Sequence, residues 1–344
     1  MARRILEQEM LAAEGITLDP LGPAQSLEVV KEIKLHKTFN GVFSVQFNHT
    51  GSLLAVGFGS GGVQLFDPLT GTMTKELRAC RQGGSSVMTL RFHPKEPDVL
   101  YAGTTEGYVY IYNVKTGEQL GTIEELGNEI NTLDFCVDGF NFATGGKDLN
   151  VRVYETKHNK LLRTYEGYNE KTFVTEKNKV ANTMRVFSIK FHPNNQYIFV
   201  SGGWDNHIKI WDTRDNEGIK RNIRGPHICG DSIDMKDNNI LTGQWTALHA
   251  LQLYDYTSGK VVKEINYPHK DGAFLYAASY VNDNTVMGGG SGTNSLEVVE
   301  IDTNRHVGGY KLAGPVQAAD SANNGRIIAV GGAAPLFTIL KLKD

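Results

Sequence analysis

Cysteine is scarce in this chain. Cys80, Cys136 and Cys229 are the only three among 344 residues, and they lie far apart. That usage predicts no disulfide framework. It fits free thiols in a reducing compartment, each packed as a small apolar residue. No neighbouring group marks any of them as a reactive thiolate. Long apolar runs are missing as well: no stretch approaches the ~20 residues of a membrane-spanning helix. The first residues set Arg3 and Arg4 beside Glu7 and Glu9 with no apolar core, so no secretory signal is expected. Nor does charge of one sign dominate. Basic residues number 35 and acidic residues 38, for a net charge of −3 without a basic run. This balance exerts no general pull toward nucleic acid or an acidic membrane.

The motifs that carry chemistry are equally thin. The sequence holds no HExxH, CxxC or GxSxG pattern and no phosphate-binding loop with its lysine, and its ten histidines are scattered. Gly57 to Gly62 read GFGSGG and match GxGxxG, but a strand follows where a helix is needed, so a turn between strands is expected. Asp231 and Asp234, if they face a central channel, are expected to be solvated or bonded to backbone. Two carboxylates alone make no site there. No cofactor and no metal is expected.

What the chain has in abundance is repetition. The segments VFSVQF (42–47), VMTLRF (87–92), INTLDF (130–135) and VFSIKF (186–191) share the period-two alternation of a strand. A turn follows each one. Next come second strands ending in small residues, LLAVGF, VLYAGT, FNFATGG and YIFVSGG. Third strands read VQLFD, VYIYN, VRVYE and IKIWD, and a more polar fourth strand closes each set. The same grammar runs on more weakly through NILTGQWTALHALQLYD, VMGGG with LEVVEID, and IIAVGG with LFTILK. Successive third strands lie mostly about 42–47 residues apart.

With its near-consensus GGWDNHIKIWD (202–212), the chain resembles the WD-repeat propellers over roughly residues 27–344. The resemblance implies an all-β, seven-bladed β-propeller preceded by an N-terminal extension, residues 1–26. Six complete sets and three C-terminal strands leave one strand to find. Val29 to Lys34 read VVKEIK and match the VVKEIN of Val261 to Asn266. The N-terminal strand is therefore expected to complete blade seven and remove an open edge. The family's Trp, Ser/Thr, His and Asp network is sparse: Trp211 and Asp205 fit in blade four and Asp148 in blade three. Tyr112, Tyr154, Tyr254 and Phe66 replace Trp elsewhere. Apolar packing between blades is expected to carry most of the stability.

Three irregular regions supply candidate partner-binding residues. ARRILEQEMLAAEG is rich in helix formers, and Ile5, Leu6 and Met10 would serve a docking helix or sit in a frayed tail. The long link from Tyr168 to Thr183 carries Lys171, Lys177 and Lys179, as a partner-gripping loop or a tolerated insertion. Phe58, Trp204, His207 and Trp245 fall at or beside loops that open on one face. There they are binding hot spots or packing between blades.

By the resemblance, the expected role is a non-enzymatic scaffold for several proteins, cytoplasmic and monomeric within a larger complex, with no nucleic acid or membrane bound. A general likeness of RGPHICGDSIDMKDNNILTGQW (224–245) to WD proteins of ciliated organisms leans this toward a cytoskeletal or ciliary assembly. The alternative is a substrate receptor of a cullin-RING ubiquitin ligase, in which Arg214 of Trp211-Asp212-Thr213-Arg214 contacts the adaptor. An enzyme with its site in the channel is disfavoured, because VFSVQF, VMTLRF and PVQAAD offer few clustered acids or histidines.

Overall fold

Alternating apolar residues in short runs bounded by glycine-rich turns give strands that bury both faces only by stacking sheet on sheet. The computed structural model, described over residues 26–168, 181–216, 218–268 and 272–343, consists of seven four-stranded antiparallel sheets. Each sheet is one blade. The innermost strands are Val42–Phe47, Val87–Phe92, Ile130–Phe135, Val186–His192, Ile233–Lys236, Leu275–Tyr280 and Val316–Ala322. Each packs against the next, and the seventh packs against the first, which closes a ring. Inner strands such as Ile130–Phe135 are buried throughout, whereas outer strands such as Met73–Arg78 are half-buried or exposed at every residue.

One close approach recurs in every blade. Gly57, Gly103, Gly145, Gly202, Gly289 and Gly331 are each the penultimate residue of a second strand, and Gly243 is the last residue of its own. A Cβ at any of them would lie 2.4–2.9 Å from a side-chain atom of the following blade. For Gly145 the atom is Val186 Cγ1 at 2.8 Å. For Gly331 it is Val42 Cγ1, also at 2.8 Å, across the seam between blades seven and one. These glycines explain the small-residue endings of the second strands: only a hydrogen side chain lets the next inner strand come this close.

Closure is as the repeat count predicts, and extends further. Ser26–Lys34 pairs antiparallel with Leu336–Lys343, from Ser26 against Lys343 to Lys34 against Leu336. Three residues, Ser26 to Glu28, thus join the strand read from VVKEIK. Tyr310 Oη donates to Glu32 Oε1 at 2.6 Å, and Lys343 pairs with Glu28, tying the seam from both sides.

The internal polar networks follow the family pattern only in part. In blade four Trp211 Nε1 donates to Ser201 Oγ at 2.8 Å, while Asp205 pairs with the buried Lys209. In blade three the centre is Glu125, a fully buried carboxylate. It accepts from Tyr154 Oη at 2.9 Å, Arg152 Nη1 at 3.0 Å and Asn128 Nδ2 at 2.7 Å. The GFGSGG stretch is a turn between Leu54–Phe58 and Val63–Phe66, closed by Phe58 N–H to Gly62 O at 3.0 Å.

On the opposite face from the start of the inner strands, His49 Nε2 bonds His93 O at 2.9 Å and His93 Nε2 bonds Gly139 O at 3.1 Å. His93 Nδ1 accepts the backbone N–H groups of Lys95 and Glu96, at 3.2 and 2.9 Å. Burial holds the His93 imidazole below its ordinary value of 6.5. Protonation would also turn that acceptor into a donor facing two donors.

Two outcomes follow for stability. Gly145→Ala is expected to cost about 2 kcal/mol in chemical denaturation, because Val186 and Ile189 must move. The neutral form of His93 is favoured on folding, so the unfolded chain binds the extra proton. Unfolding free energy should therefore fall as pH drops through about 6.5 toward the depressed folded value, and be unaffected by this group above it. His93→Asn should flatten that decline. An unchanged pH slope in the variant would show that His93 is not its source.

Candidate binding site at the mouth of the central channel

The inner strands begin on one face of the ring, here the upper face. The loops entering them, and those joining second to third strands, open on that face. Six of the seven inner strands slip register across their second residue, as at Val42/Ser44, Val87/Thr89 and Ile130/Thr132. A bulge of this kind turns the unpaired side chain out of the ladder. Here it turns the second residue of each strand into the channel mouth. Phe43, Met88, Asn131, Phe187, Tyr276 and Gln317 occupy that position, and Asp231, just before its strand, does so in blade five. With Trp204, Cys229 and Gly230 they line a cavity of about 220 Å³.

The floor is ionic. Arg91 of blade two reaches across the axis to Asp231 of blade five, Nη2 to Oδ2 at 2.7 Å, and its Nε bonds Asp134 Oδ1 at 3.2 Å. Burial opposes the charge on Arg91, but Asp231, Asp134 and Asp320 outweigh it, so its pKa is raised. The same holds for Lys190, where burial is outweighed by Asp234 and Asp134. Below lies a second chamber of about 100 Å³, lined by fifth residues of the inner strands: Gln46, Arg91, Asp134, Lys190, Ser279 and Asp320.

These fifth residues also clip blade to blade. Gln46 accepts Phe92 N–H at 2.6 Å and Asp134 accepts Phe191 N–H at 2.8 Å. Asp234, which holds the equivalent place in the shorter blade-five strand, accepts Tyr280 N–H at 3.1 Å, and Asp320 accepts Phe47 N–H at 2.8 Å across the seam. The channel is therefore charged, contrary to the expectation that its strands hold few acids. Most of that charge is committed to holding the ring. Asp234 bonds backbone as expected, whereas Asp231 is held by an arginine.

The sequence candidates separate in space. Trp204 reaches the mouth: its ring lies 5.0 Å from Phe187, and its Nε1 donates to Cys229 Sγ at 3.3 Å. Burial pushes the Cys229 thiol up. Trp245 is 38% exposed on the same face, 5.0 Å from the Phe274 ring. His207 opens the third strand of blade four, its Nδ1 bonded to Asp205 O at 2.6 Å, and does not line the cavity. Phe58 is corrected as a binding residue: it is fully buried, edge-on to Phe39 at 4.6 Å, because its strand ends against the neighbouring blade. Arg214 sits on the lower face, bidentate to Asp212 at 2.9 and 2.8 Å and 4.6 Å above the Tyr197 ring. Ile5, Leu6, Met10, Lys171, Lys177 and Lys179 lie outside the described residues.

The residues missed are the second-position ring. Its signal was present as one column of the repeat, F, M, N and F in VFSVQF, VMTLRF, INTLDF and VFSIKF. Period-two alternation hides that column, since only the bulge aims it at the axis.

The cross-channel pair carries a testable cost. Arg91→Met removes the cation that bridges Asp134 and Asp231 and leaves them only the Lys190 charge. The loss of stability should be about 3 kcal/mol by urea denaturation. A loss below a few tenths would mean that the carboxylates are hydrated and the bridge idle.

Residues 117–155 and 160–212 match the model of the WD domain, G-beta repeat. The WD repeat-containing protein slp1 of Schizosaccharomyces pombe is 22% identical over 240 residues, 69% of this chain and 45% of that protein. The GATOR2 complex protein WDR24 of Danio rerio is 24% identical over 48% of this chain and 20% of its own length. The B-type cell cycle switch protein ccs52B of Medicago truncatula is 24% identical over 64% of this chain and 42% of its own length. The chain spans less than half the length of each of these curated relatives. Repeats that match the model, relatives that carry the same repeat and a closed ring of seven four-stranded blades make this chain a member of the WD40-repeat β-propeller family.

Proposed function

We propose that this chain is a protein-interaction scaffold that grips a segment of a partner in the channel mouth on its upper face. One observation carries the reading. Aromatic side chains from three separate blades, Phe43, Phe187 and Tyr276, converge with Trp204 on a single open cavity above an ionic floor. Concave, largely apolar sites with a few placed polar groups are where short segments bind, and aromatic anchors dominate such contacts. A scaffold role is also what the fold typically serves, and one relative, WDR24, is by its name a member of a complex.

A second reading, a cullin-RING substrate receptor, is favoured by the Arg214 geometry. The guanidinium is 59% exposed yet fixed by Asp212 and Tyr197, so it offers a preformed cationic contact on the lower face. The setting we propose is the cytoplasm, in a cytoskeletal or ciliary assembly; its support is the likeness of residues 224–245 alone.

Affinity purification from the native source separates these readings. The double change Phe43→Ala with Tyr276→Ala should remove a defined subset of partners, and Phe140→Ala, exposed on the lower face, should not. Loss of cullin-RING adaptors in Arg214→Ala, with the partners of the mouth retained, would establish the second reading. An identical partner set for wild type and the mouth variant would refute the first.

A further inference from the structure

We infer that the channel mouth takes an arginine side chain from the partner segment. This inference rests on the mouth being the docking site and adds the chemistry of what enters it.

The cavity wall holds acceptors that no donor meets. Gln317 Oε1 is buried with no hydrogen-bond partner among the described residues. Asn131 spends its amide N–H on Val186 O at 3.0 Å, which leaves its Oδ1 as an acceptor. Asp231 gives Oδ2 to Arg91, and its side chain remains 43% exposed at the floor. Two donors close by are engaged: Trp204 Nε1 on Cys229, and the Arg91 guanidinium on Leu90 O, Asp134 and Asp231. These open acceptors, one of them a carboxylate, are best met by a ligand group rich in donors.

Charge points the same way. Arg91 and Lys190 stand against four carboxylates, those of Asp134, Asp231, Asp234 and Asp320. The channel therefore carries an excess of negative charge under a low-dielectric mouth, which draws a cation inward. The apolar wall suits a long aliphatic stem, and aromatic faces favour a cation above them.

Among cationic side chains the arrangement selects arginine. Three acceptors on separate blades need several donors fanned in a plane, which a guanidinium offers and a compact ammonium does not. A leucine or phenylalanine would leave the same acceptors buried and dry, a penalty that argues against a purely apolar occupant.

The test uses the full chain and peptide libraries randomised around one fixed central residue: arginine, lysine, citrulline or leucine. The arginine library should be retained about tenfold better than the citrulline and leucine libraries, the scale of a charged hydrogen bond. Gln317→Leu and Asp231→Asn should each remove about tenfold of that preference. Should Asp231→Asn unfold with the loss of its Arg91 bond, Gln317→Leu, which breaks no hydrogen bond among the described residues, carries the test. Equal retention of the leucine or citrulline library, no retention of any library, or an arginine preference unchanged in Gln317→Leu would each overturn the inference. If an apolar library is preferred and the Phe43→Ala with Tyr276→Ala variant abolishes its binding, docking in the mouth stands and the arginine falls. If arginine binds but that variant binds it equally, both fall.

Discussion

The ring depends on how closely one inner strand can approach the blade before it. Seven glycines set that distance, each facing a side chain of the following blade closer than a Cβ would tolerate. No disulfide, metal or helix among the described residues shares this task. The propeller is held by apolar contact repeated around a circle, with inter-blade hydrogen bonds nearer the axis. A chain of stacked sheets that failed at one glycine would open at that interface and expose two edges.

Onto this spacing the channel adds direction. The bulge at the second residue sends one side chain per blade to the upper mouth, and the fifth residue meets the backbone of the next blade lower down. The two positions divide the labour. Fifth-position groups are spent on structure, as Gln46, Asp134, Asp234 and Asp320 accept backbone N–H groups of the following blade. Second-position groups make few such bonds and remain available to a ligand. Arg91 belongs to both levels, since it clips Asp134 and also forms the floor of the mouth through Asp231.

This division explains why a charged channel need not be catalytic. Acids that accept backbone hydrogen bonds, or neutralise a buried arginine, are fixed in role before any substrate arrives. The groups left without donors are neutral amides and one partly exposed carboxylate, which suit recognition. Aromatic rings surround them because the repeat tolerates large side chains where the bulge points into open space.

Strand number, blade order and closure were determined by the sequence alone, because period-two alternation, small-residue strand ends and the VVKEI likeness are local or countable. The terminal strand was found by arithmetic on the repeat, and it pairs where the count required. The small-residue endings were visible too, though not their reason, which lies in the facing blade. What only the tertiary structure decided is the fate of individual side chains. Phe58 and Trp204 occupy matching loops in the sequence. One is sealed between blades against Phe39, and the other opens on the channel beside Phe187. Asp148 was legible as a network acid, but Glu125, the buried centre of that network, arrives from the preceding loop and carries no local mark. The Arg91 to Asp231 bridge joins residues three blades apart, and only closing the ring brings them together. Patterns along the chain record which face a residue takes; distances across the axis exist only once the circle is complete.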